Sequence, residues 1–147
     1  MVNNVRDLIT LHEGRVPHAY QDSLGYWTIG VGHLIDKRRG GELPAHIIDA
    51  LLDYDIKAHS ETLNAEQPWV KDLDEVRRAV MYDMTFNLGI EPFDDDDFKD
   101  WDNFVAQVRT GRYAAAAANM RTTLWAKQVG PRAMRLAKMM ETGQWES

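Results

Sequence analysis

Apolar residues recur at helical spacing over residues 5–12, near the start of the chain. Asn3 or Asn4 can cap the start of this segment, and Gly14 is a typical residue at a helix end. The pattern therefore predicts a first helix that begins after one of the two asparagines and places Glu13 in its last turn.

Two extended runs follow, HAYQD and YWTIGVGH, with the turn sequence SLG between them. In the second run Trp27, Ile29 and Val31 alternate with tyrosine, threonine and glycine, which is the period of a strand. We expect a β-hairpin with one packed face, formed by the larger apolar side chains, and one nearly bare face.

The rest of the chain has helical spacing. Pro44 is a favourable first residue for a helix over AHIIDALLDYDIKAHSETL, which is long enough to connect two lobes. After Pro68 glycine and proline separate four further predicted helices: DEVRRAVMYDMTFNL, DNFVAQVRTG, RYAAAAANMRTTLWAKQ and PRAMRLAKMMETGQW. The expected fold is α+β and mostly helical, with a small N-terminal β-hairpin or sheet lobe and no flexible linker.

The composition of the chain argues against several kinds of site and partner. With 147 residues, 44% of them apolar, the chain can bury one sizeable core. It contains no cysteine, which excludes disulfides and thiolate metal sites. A net charge of −6 argues against nucleic acid as a partner. No apolar run approaches the length of a membrane span and no export signal is evident, so we expect no stable membrane insertion.

Three polar residues in the N-terminal region are candidates for chemistry. Glu13 lies in the last turn of the predicted first helix, and a carboxyl group there is a candidate general acid. Asp22 precedes the hairpin turn and Thr28 lies in the second run. Each residue could also have a purely structural role. Glu13 could be a solvated residue at a helix end. Asp22 could bind the backbone of the turn, and Thr28 could be an ordinary strand residue. Together, however, two carboxylates near an open sheet are what glycosidic bond cleavage requires.

These residues resemble the signature of the phage-type lysozymes of glycoside hydrolase family 24. Glu13, Asp22 and Thr28 match its glutamate, aspartate and threonine in type and spacing, and GYWTIGVGHL matches its sequence around the threonine. The resemblance extends through AVMYDMTFNLG to LWAKQVGPRA and TGQW near the C-terminus. It implies a single lysozyme-like domain over 1–147, in which 14–58 form the small α+β lobe with the connecting helix. Residues 59–147 and the helix 1–13 would form the helical lobe.

The resemblance also implies an activity, the hydrolysis of the β-1,4 bond between N-acetylmuramic acid and N-acetylglucosamine in peptidoglycan. Glu13 would be the proton donor. Asp22 and Thr28 would position the attacking water on the opposite face, with inversion at the anomeric carbon. No cofactor is implied.

Two supporting pairs are implied as well. Arg132 matches an arginine that pairs with the catalytic glutamate, here Glu13. His33 matches a histidine that forms an ion pair with an aspartate on the long helix, here Asp55, which we expect to serve stability rather than catalysis.

Four further positions match substrate-contacting sites of the family. Leu34, Phe86 and Asn119 correspond to residues that line the cleft, although Leu34 and Phe86 suit a core equally well. Phe104 stands where the resembled enzymes have a small polar cleft residue, so we expect an altered sugar subsite.

No metal site is expected. The run EPFDDDDFKDWD, residues 91–102, has seven acidic residues in twelve but lacks the central glycine and final glutamate of an EF-hand loop, so it reads as a solvated loop. The five histidines show no metal-ligand spacing such as H-E-x-x-H. A metallopeptidase or amidase is therefore disfavoured.

The sequence is compatible with three biological roles of the protein. The favoured one is an endolysin that lyses the host cell; the others are a virion entry enzyme with the same activity and a non-catalytic peptidoglycan-binding module. A chain that begins with Met1 and shows no fused segment favours the endolysin. We expect a monomer that accumulates in the host cytoplasm and reaches the cell wall with the help of a holin-like membrane permeabiliser.

Overall fold

The computed structural model describes residues 4–36, 43–93 and 99–146. The chain divides into two compact units, Met1–Leu51 and Leu52–Ser147. The expectation that residues 1–13 belong with the helical lobe stays a prediction.

The first unit begins with helix α1, Val5–Glu13. Its capping residue is Asn4, whose side chain accepts a hydrogen bond of 2.9 Å from the backbone N–H of Asp7. Gly14 ends the helix at a φ of 74° and donates its N–H to the carbonyl of Thr10. Both predicted ends are confirmed, because local capping chemistry sets them.

Three antiparallel strands follow in the order β1, Val16–Gln21, β2, Trp27–Gly30, and β3, His33–Asp36. The extended run predicted to continue to His33 is therefore interrupted. Gly30 and Gly32 have φ values of 71° and 65°, outside the strand region, so the chain turns there and returns as a third strand.

The packed face of the sheet differs from the prediction. Thr28 is buried, with 5% of its surface exposed, whereas Trp27 is 50% exposed. Because successive side chains on a strand point to opposite faces, burial of Thr28 turns Trp27 outward. The assumption that the larger apolar side chain would be the buried one was wrong here.

Helix α2, Ala45–Glu66, contains the boundary between the two units, and the second unit is helical throughout its described residues. Two short 3₁₀ segments, Pro68–Asp72 and Glu91–Phe93, interrupt the helices. The remaining helices are α3, Glu75–Leu88; α4, Lys99–Arg109; α5, Tyr113–Thr122; α6, Leu124–Val129; and α7, Pro131–Thr142.

The single helix predicted over residues 112–128 is two helices. Thr123 has extended backbone angles, φ −72° and ψ 158°, and its hydroxyl accepts a hydrogen bond of 3.1 Å from the N–H of Ala126. Threonine is a good N-cap, so a new helix starts there although the alanine-rich segment favours continuity.

The core of the second unit lies between α3, α5 and α7. Ala116 and Ala117 of α5 and Ala133 and Ala137 of α7 are fully buried, which lets the two helices approach closely, and methionines fill the space around them. The core residues with 0% exposure on these three helices include Val80, Met81, Met84, Ala116, Ala117, Met120, Ala133, Ala137 and Met140. Among the residues that the structure describes, no helix is long and apolar enough to cross a membrane.

Candidate functional site

Glu13 is the last residue of α1 and its side chain is exposed. Its carboxylate lies against Gly32, in the turn between β2 and β3. A Cβ atom added to Gly32 would be 2.9 Å from Oε2 and 3.1 Å from Cδ of Glu13. The carboxylate thus occupies space that any other residue at position 32 would fill, and the helix end and the sheet turn together place it.

Asp22 organises the turn between β1 and β2. Its Oδ1 accepts hydrogen bonds from the backbone N–H groups of Leu24, at 2.8 Å, and Tyr26, at 2.9 Å. The backbone of Asp22 is also bonded to Tyr26 and Gly25. Among the described residues no group binds Oδ2, so one oxygen holds the turn and the other can accept a proton from water or substrate.

Thr28 lies in the central strand, opposite Tyr20 on one side and Leu34 on the other. Its hydroxyl donates to the carbonyl of Tyr26 at 3.3 Å. Since the N–H of Tyr26 binds Asp22, the Tyr26 backbone links the aspartate to the threonine. The structure therefore brings Asp22 and Thr28 together through one residue.

In the second unit, Arg132 at the start of α7 binds Asp83 on α3. The guanidinium Nε donates to Asp83 Oδ1 at 2.9 Å, and Nη2 lies 3.4 Å from the carbonyl of the same residue. Both side chains border a cavity of about 430 Å³, whose walls are mainly apolar and include Ile56, Tyr82 and Phe86. Phe86 is 38% exposed, with its ring centroid 5.3 Å from that of His59. Phe86 is thus not a core residue.

The other predicted contact residues have different surroundings. Leu34 is at the surface of the sheet with 36% exposure. Asn119 borders a second cavity of about 270 Å³, together with the hydroxyl-bearing Thr122 and Thr123. Phe104 is fully buried, with its ring 5.5 Å from that of Trp101, so the proposed site does not include it.

The predicted pairs Arg132 with Glu13 and His33 with Asp55 each join a residue of the first unit to one of the second, and both stay predictions. His33 is exposed at the start of β3. The middle of the acidic run, residues 94–98, lies outside the described residues. Within the described ranges, no group of three or more histidine, aspartate or glutamate side chains could hold a metal ion.

Two contacts of the site were not predicted from the sequence. The close approach of Gly32 to Glu13 has a local signal, the second glycine of TIGVGH, because glycine between strands often marks close contact. The contact of Asp83 with Arg132 has no such signal in the sequence. The two residues are 49 positions apart, and only the packing of α3 against α7 brings them together.

The arrangement provides the groups for acid-assisted hydrolysis. The first unit holds an exposed carboxylate at a helix end, a second carboxylate with one oxygen that no described residue binds, and a hydroxyl tied to the same turn. One carboxylate can donate a proton, while the other and the hydroxyl can orient water.

Comparison with known proteins places these residues in a wider context. The sequence model of the phage lysozyme family matches residues 10–141, which include Glu13, Asp22 and Thr28. Two curated relatives from Dictyostelium discoideum are named probable T4-type lysozyme 1 and probable T4-type lysozyme 2. Each is 22% identical to this chain, and each alignment covers 97% of this chain and 96% of the relative.

Proposed function

The chain belongs to the phage lysozyme family, and from this premise we propose that it cleaves the β-1,4 bond between N-acetylmuramic acid and N-acetylglucosamine. Membership of the family supports a muramidase-like peptidoglycan hydrolase. The observation that carries the finer assignment is the position of the Glu13 carboxylate against Gly32, beside the sheet that holds Asp22 and Thr28.

Glu13 acts as the general acid in this proposal. Its carboxyl group protonates the glycosidic oxygen as the bond to the muramic acid breaks, and the product leaves as a neutral alcohol. The contact with Gly32 supports this role, because a glycine at that position leaves room for both the carboxylate and a sugar. Proton donation of this kind is typically worth roughly 10² to 10⁴ in rate.

Asp22 and Thr28 position the attacking water. Oδ2 of Asp22 accepts one proton of the water, and the Thr28 hydroxyl orients its oxygen towards the anomeric carbon. The hydrogen bonds of Oδ1 to Leu24 and Tyr26 support this division of labour, because they fix the carboxylate without using its second oxygen. Attack from the face opposite Glu13 inverts the anomeric configuration.

Leu34, Phe86 and Asn119 are the substrate-contacting residues of this proposal. Leu34 and Phe86 offer exposed apolar surface for sugar rings, and Asn119 offers an amide for acetamido groups. Asp83 holds the Arg132 guanidinium through its side-chain carboxylate, and a role of Arg132 in positioning the catalytic glutamate stays a prediction.

Analysis of the cleavage products tests the reaction. Purified peptidoglycan is digested, and the fragment ends are identified by mass spectrometry and by proton NMR during the first turnovers. We expect fragments ending in reducing muramic acid, released first as the α-anomer. Anhydro ends would show a lytic transglycosylase instead, a β-anomer would show retention, and no release at all would favour a binding module.

We propose that this activity serves host cell lysis, with the monomeric chain accumulating in the host cytoplasm. A holin-like membrane permeabiliser would then give it access to the wall. Expression in a bacterial host with and without such a permeabiliser tests this role. Lysis only in its presence is the expected result, and lysis at the same time without it would contradict the proposal.

A further inference from the structure

Trp101 of α4 carries a hydrogen-bond donor that no described residue satisfies. The side chain is buried, with 7% of its surface exposed, yet its indole N–H has no acceptor among these residues. The indole N–H groups of Trp69 and Trp125, by contrast, donate to the side-chain oxygens of Gln67 and Asn87, each at 2.7 Å. Because a buried indole N–H usually finds such a partner, the exception at Trp101 needs an explanation.

The protein does not enclose this N–H. Within the described ranges, the buried side-chain polar atom that lacks a partner is Oε1 of Gln107, and the Trp101 nitrogen is not such an atom. Trp101 borders the cavity of about 270 Å³ that has Asn119 in its wall. The open donor is therefore accessible from outside the core, and this cavity is a space that the Trp101 side chain lines.

Aromatic neighbours hold the Trp101 ring. Its centroid lies 5.5 Å from that of Phe104, in an edge-to-face arrangement, and 6.2 Å from that of Phe93. The ring of Trp125, which borders the same cavity, lies 5.9 Å away. Because three aromatic side chains restrict the rotation of the Trp101 ring, the direction of its N–H is set before a ligand arrives.

The cavity wall holds a second open polar group. Among the described residues, the side-chain amide of Asn119 has no hydrogen bond, so it can both donate and accept. The hydroxyl groups of Thr122 and Thr123, in contrast, each donate to a backbone carbonyl at 2.8 Å. Leu124 borders the cavity with 69% of its surface exposed. The wall thus combines an indole N–H, an amide and an aliphatic side chain.

We propose that this cavity binds an acetamido group of the glycan strand, with Trp101 as the residue that determines specificity for it. The indole N–H donates to the acetamido carbonyl, Asn119 accepts from the acetamido N–H, and Leu124 contacts the methyl group. Pockets for drug-sized ligands typically measure roughly 300–1,000 Å³, so a cavity of about 270 Å³ suits one sugar substituent.

This inference rests on the proposed function and narrows its substrate class to N-acetylated glycan. Removal of the acetyl group replaces the carbonyl acceptor by an ammonium group, which can only donate. The Trp101 N–H then gains no partner on binding, and the affinity falls. A peptide bond offers the same amide chemistry as an acetamido group, so the ligands and substrates used in the tests carry no peptide stems.

Titration with the β-1,4-linked disaccharide of N-acetylglucosamine, followed by NMR, tests the site directly. The indole N–H signal of Trp101, assigned with the Trp101→Phe variant, should move downfield and reach saturation. The signal of Trp69, whose N–H already binds Gln67, should stay in place. The corresponding disaccharide of glucosamine should not shift the Trp101 signal. No shift with the acetylated sugar, or equal shifts with both sugars, would overturn the proposal.

Kinetics on stem-free glycan strands test the consequence for specificity. Trp101→Phe keeps an aromatic ring and removes the N–H, and Trp69→Phe is the matched control because it removes a bonded indole N–H from the same unit. On N-acetylated strands we expect Trp101→Phe to lose about fivefold in kcat/KM, chiefly through KM, which corresponds to one hydrogen bond. Trp69→Phe should stay within about twofold of wild type. Equal losses in the two variants would contradict a specific role of Trp101.

A second variant tests the site without a change in the aromatic core. Asn119→Ala should weaken binding of the acetylated disaccharide about fivefold in the same titration, because one hydrogen bond is lost. Asn103→Ala, at an exposed asparagine of α4, is the control and should bind as wild type. Wild-type affinity of Asn119→Ala would overturn the amide contact.

The two assays also separate this inference from the proposed function. If wild type cleaves no glycan strand, the muramidase assignment fails, and the Trp101 signal alone decides whether the cavity binds an acetamido group. If wild type cleaves the strands and the Trp101 signal does not move, the muramidase assignment stands and the acetamido site is wrong.

Discussion

The Glu13 carboxylate and Gly32 are in direct contact, so that the absent side chain at position 32 provides the space in which the carboxylate lies. The end of α1 and the turn between β2 and β3 therefore meet at this glycine. Because Oε2 is the end of a flexible side chain, it is the carboxylate that must move when this space is filled.

Gly32→Ala should therefore reduce activity through Glu13. The new Cβ displaces the carboxylate, and the positive φ of 65° adds a backbone cost of about 1–2 kcal/mol. Gly111→Ala is the matched control, since Gly111 has a φ of 73° and nothing within 4 Å of its Cβ position. Hydrolysis rates and urea unfolding should show similar destabilisation of both variants and a large loss of rate only in Gly32→Ala. Equal rates in the two variants would contradict the importance of the contact.

Asp22 carries a structural and a chemical role that two substitutions separate. Asp22→Asn keeps an oxygen that can accept the bonds from Leu24 and Tyr26, so its stability should stay close to wild type while hydrolysis falls. Asp22→Ala loses those bonds as well and should cost about 1–2 kcal/mol. Thermal melting and hydrolysis assays check both. If the Asp22→Asn variant were fully active, Asp22 would serve only to stabilise the turn.

Arg77 connects helices of the second unit. Its Nε and Nη2 donate to the carbonyls of Met140, at 2.8 Å, and Glu141, at 3.0 Å, and its guanidinium lies 3.8 Å from the centre of the Tyr113 ring. Lysine cannot reproduce this planar set of contacts, so Arg77→Lys should lose about 2 kcal/mol of stability with little change in hydrolysis.

Arg78→Lys is the control for that change. Among the described residues, the Arg78 side chain donates one hydrogen bond, to the carbonyl of Lys71 at 3.2 Å, and Arg78 is otherwise similarly placed on α3. Its substitution should change the free energy of unfolding by no more than about 0.5 kcal/mol. A loss as large as that of Arg77→Lys would show that the specific contacts of Arg77 are unimportant.

Asp74 should make stability depend on pH. Partial burial raises the pKa of its carboxyl group, but hydrogen bonds and the charge of Arg77 outweigh this and hold the pKa below its usual value. The stabilisation is complete above the unfolded value, about pH 4, and is lost as the pH falls through the lower folded value. In urea unfolding, the stability difference between wild type and Asp74→Asn should be constant above about pH 5 and shrink below about pH 4. A difference that does not change with pH would contradict this.

The features of the fold that were predictable from the sequence are those set by neighbouring residues. The cap at Asn4, the end at Gly14 and the start of α3 after Asp74 follow from local chemistry. The third strand and the division at Thr123 were missed, because the apolar pattern continues through both positions and backbone angles decide them.

In the candidate site, too, the predictable features are those set by residues close together in the sequence. Spacing singles out Glu13, Asp22 and Thr28, and the link between the last two through Tyr26 lies within one hairpin. The contact of Arg132 with Asp83 depends on how distant helices pack, and neither residue type nor spacing carries that information. Phe104 was assigned by correspondence with a surface position, which cannot reveal its burial.

The most direct test of the account is the hydrolysis rate of Glu13→Gln on purified peptidoglycan. Glu66→Gln is the matched control, because Glu66 is also an exposed glutamate at the last position of a helix. We expect Glu13→Gln to fold as wild type and lose a factor of roughly 10² to 10⁴ in rate, while Glu66→Gln keeps wild-type activity. A Glu13→Gln protein with nearly full activity would contradict the assignment of Glu13 as the general acid.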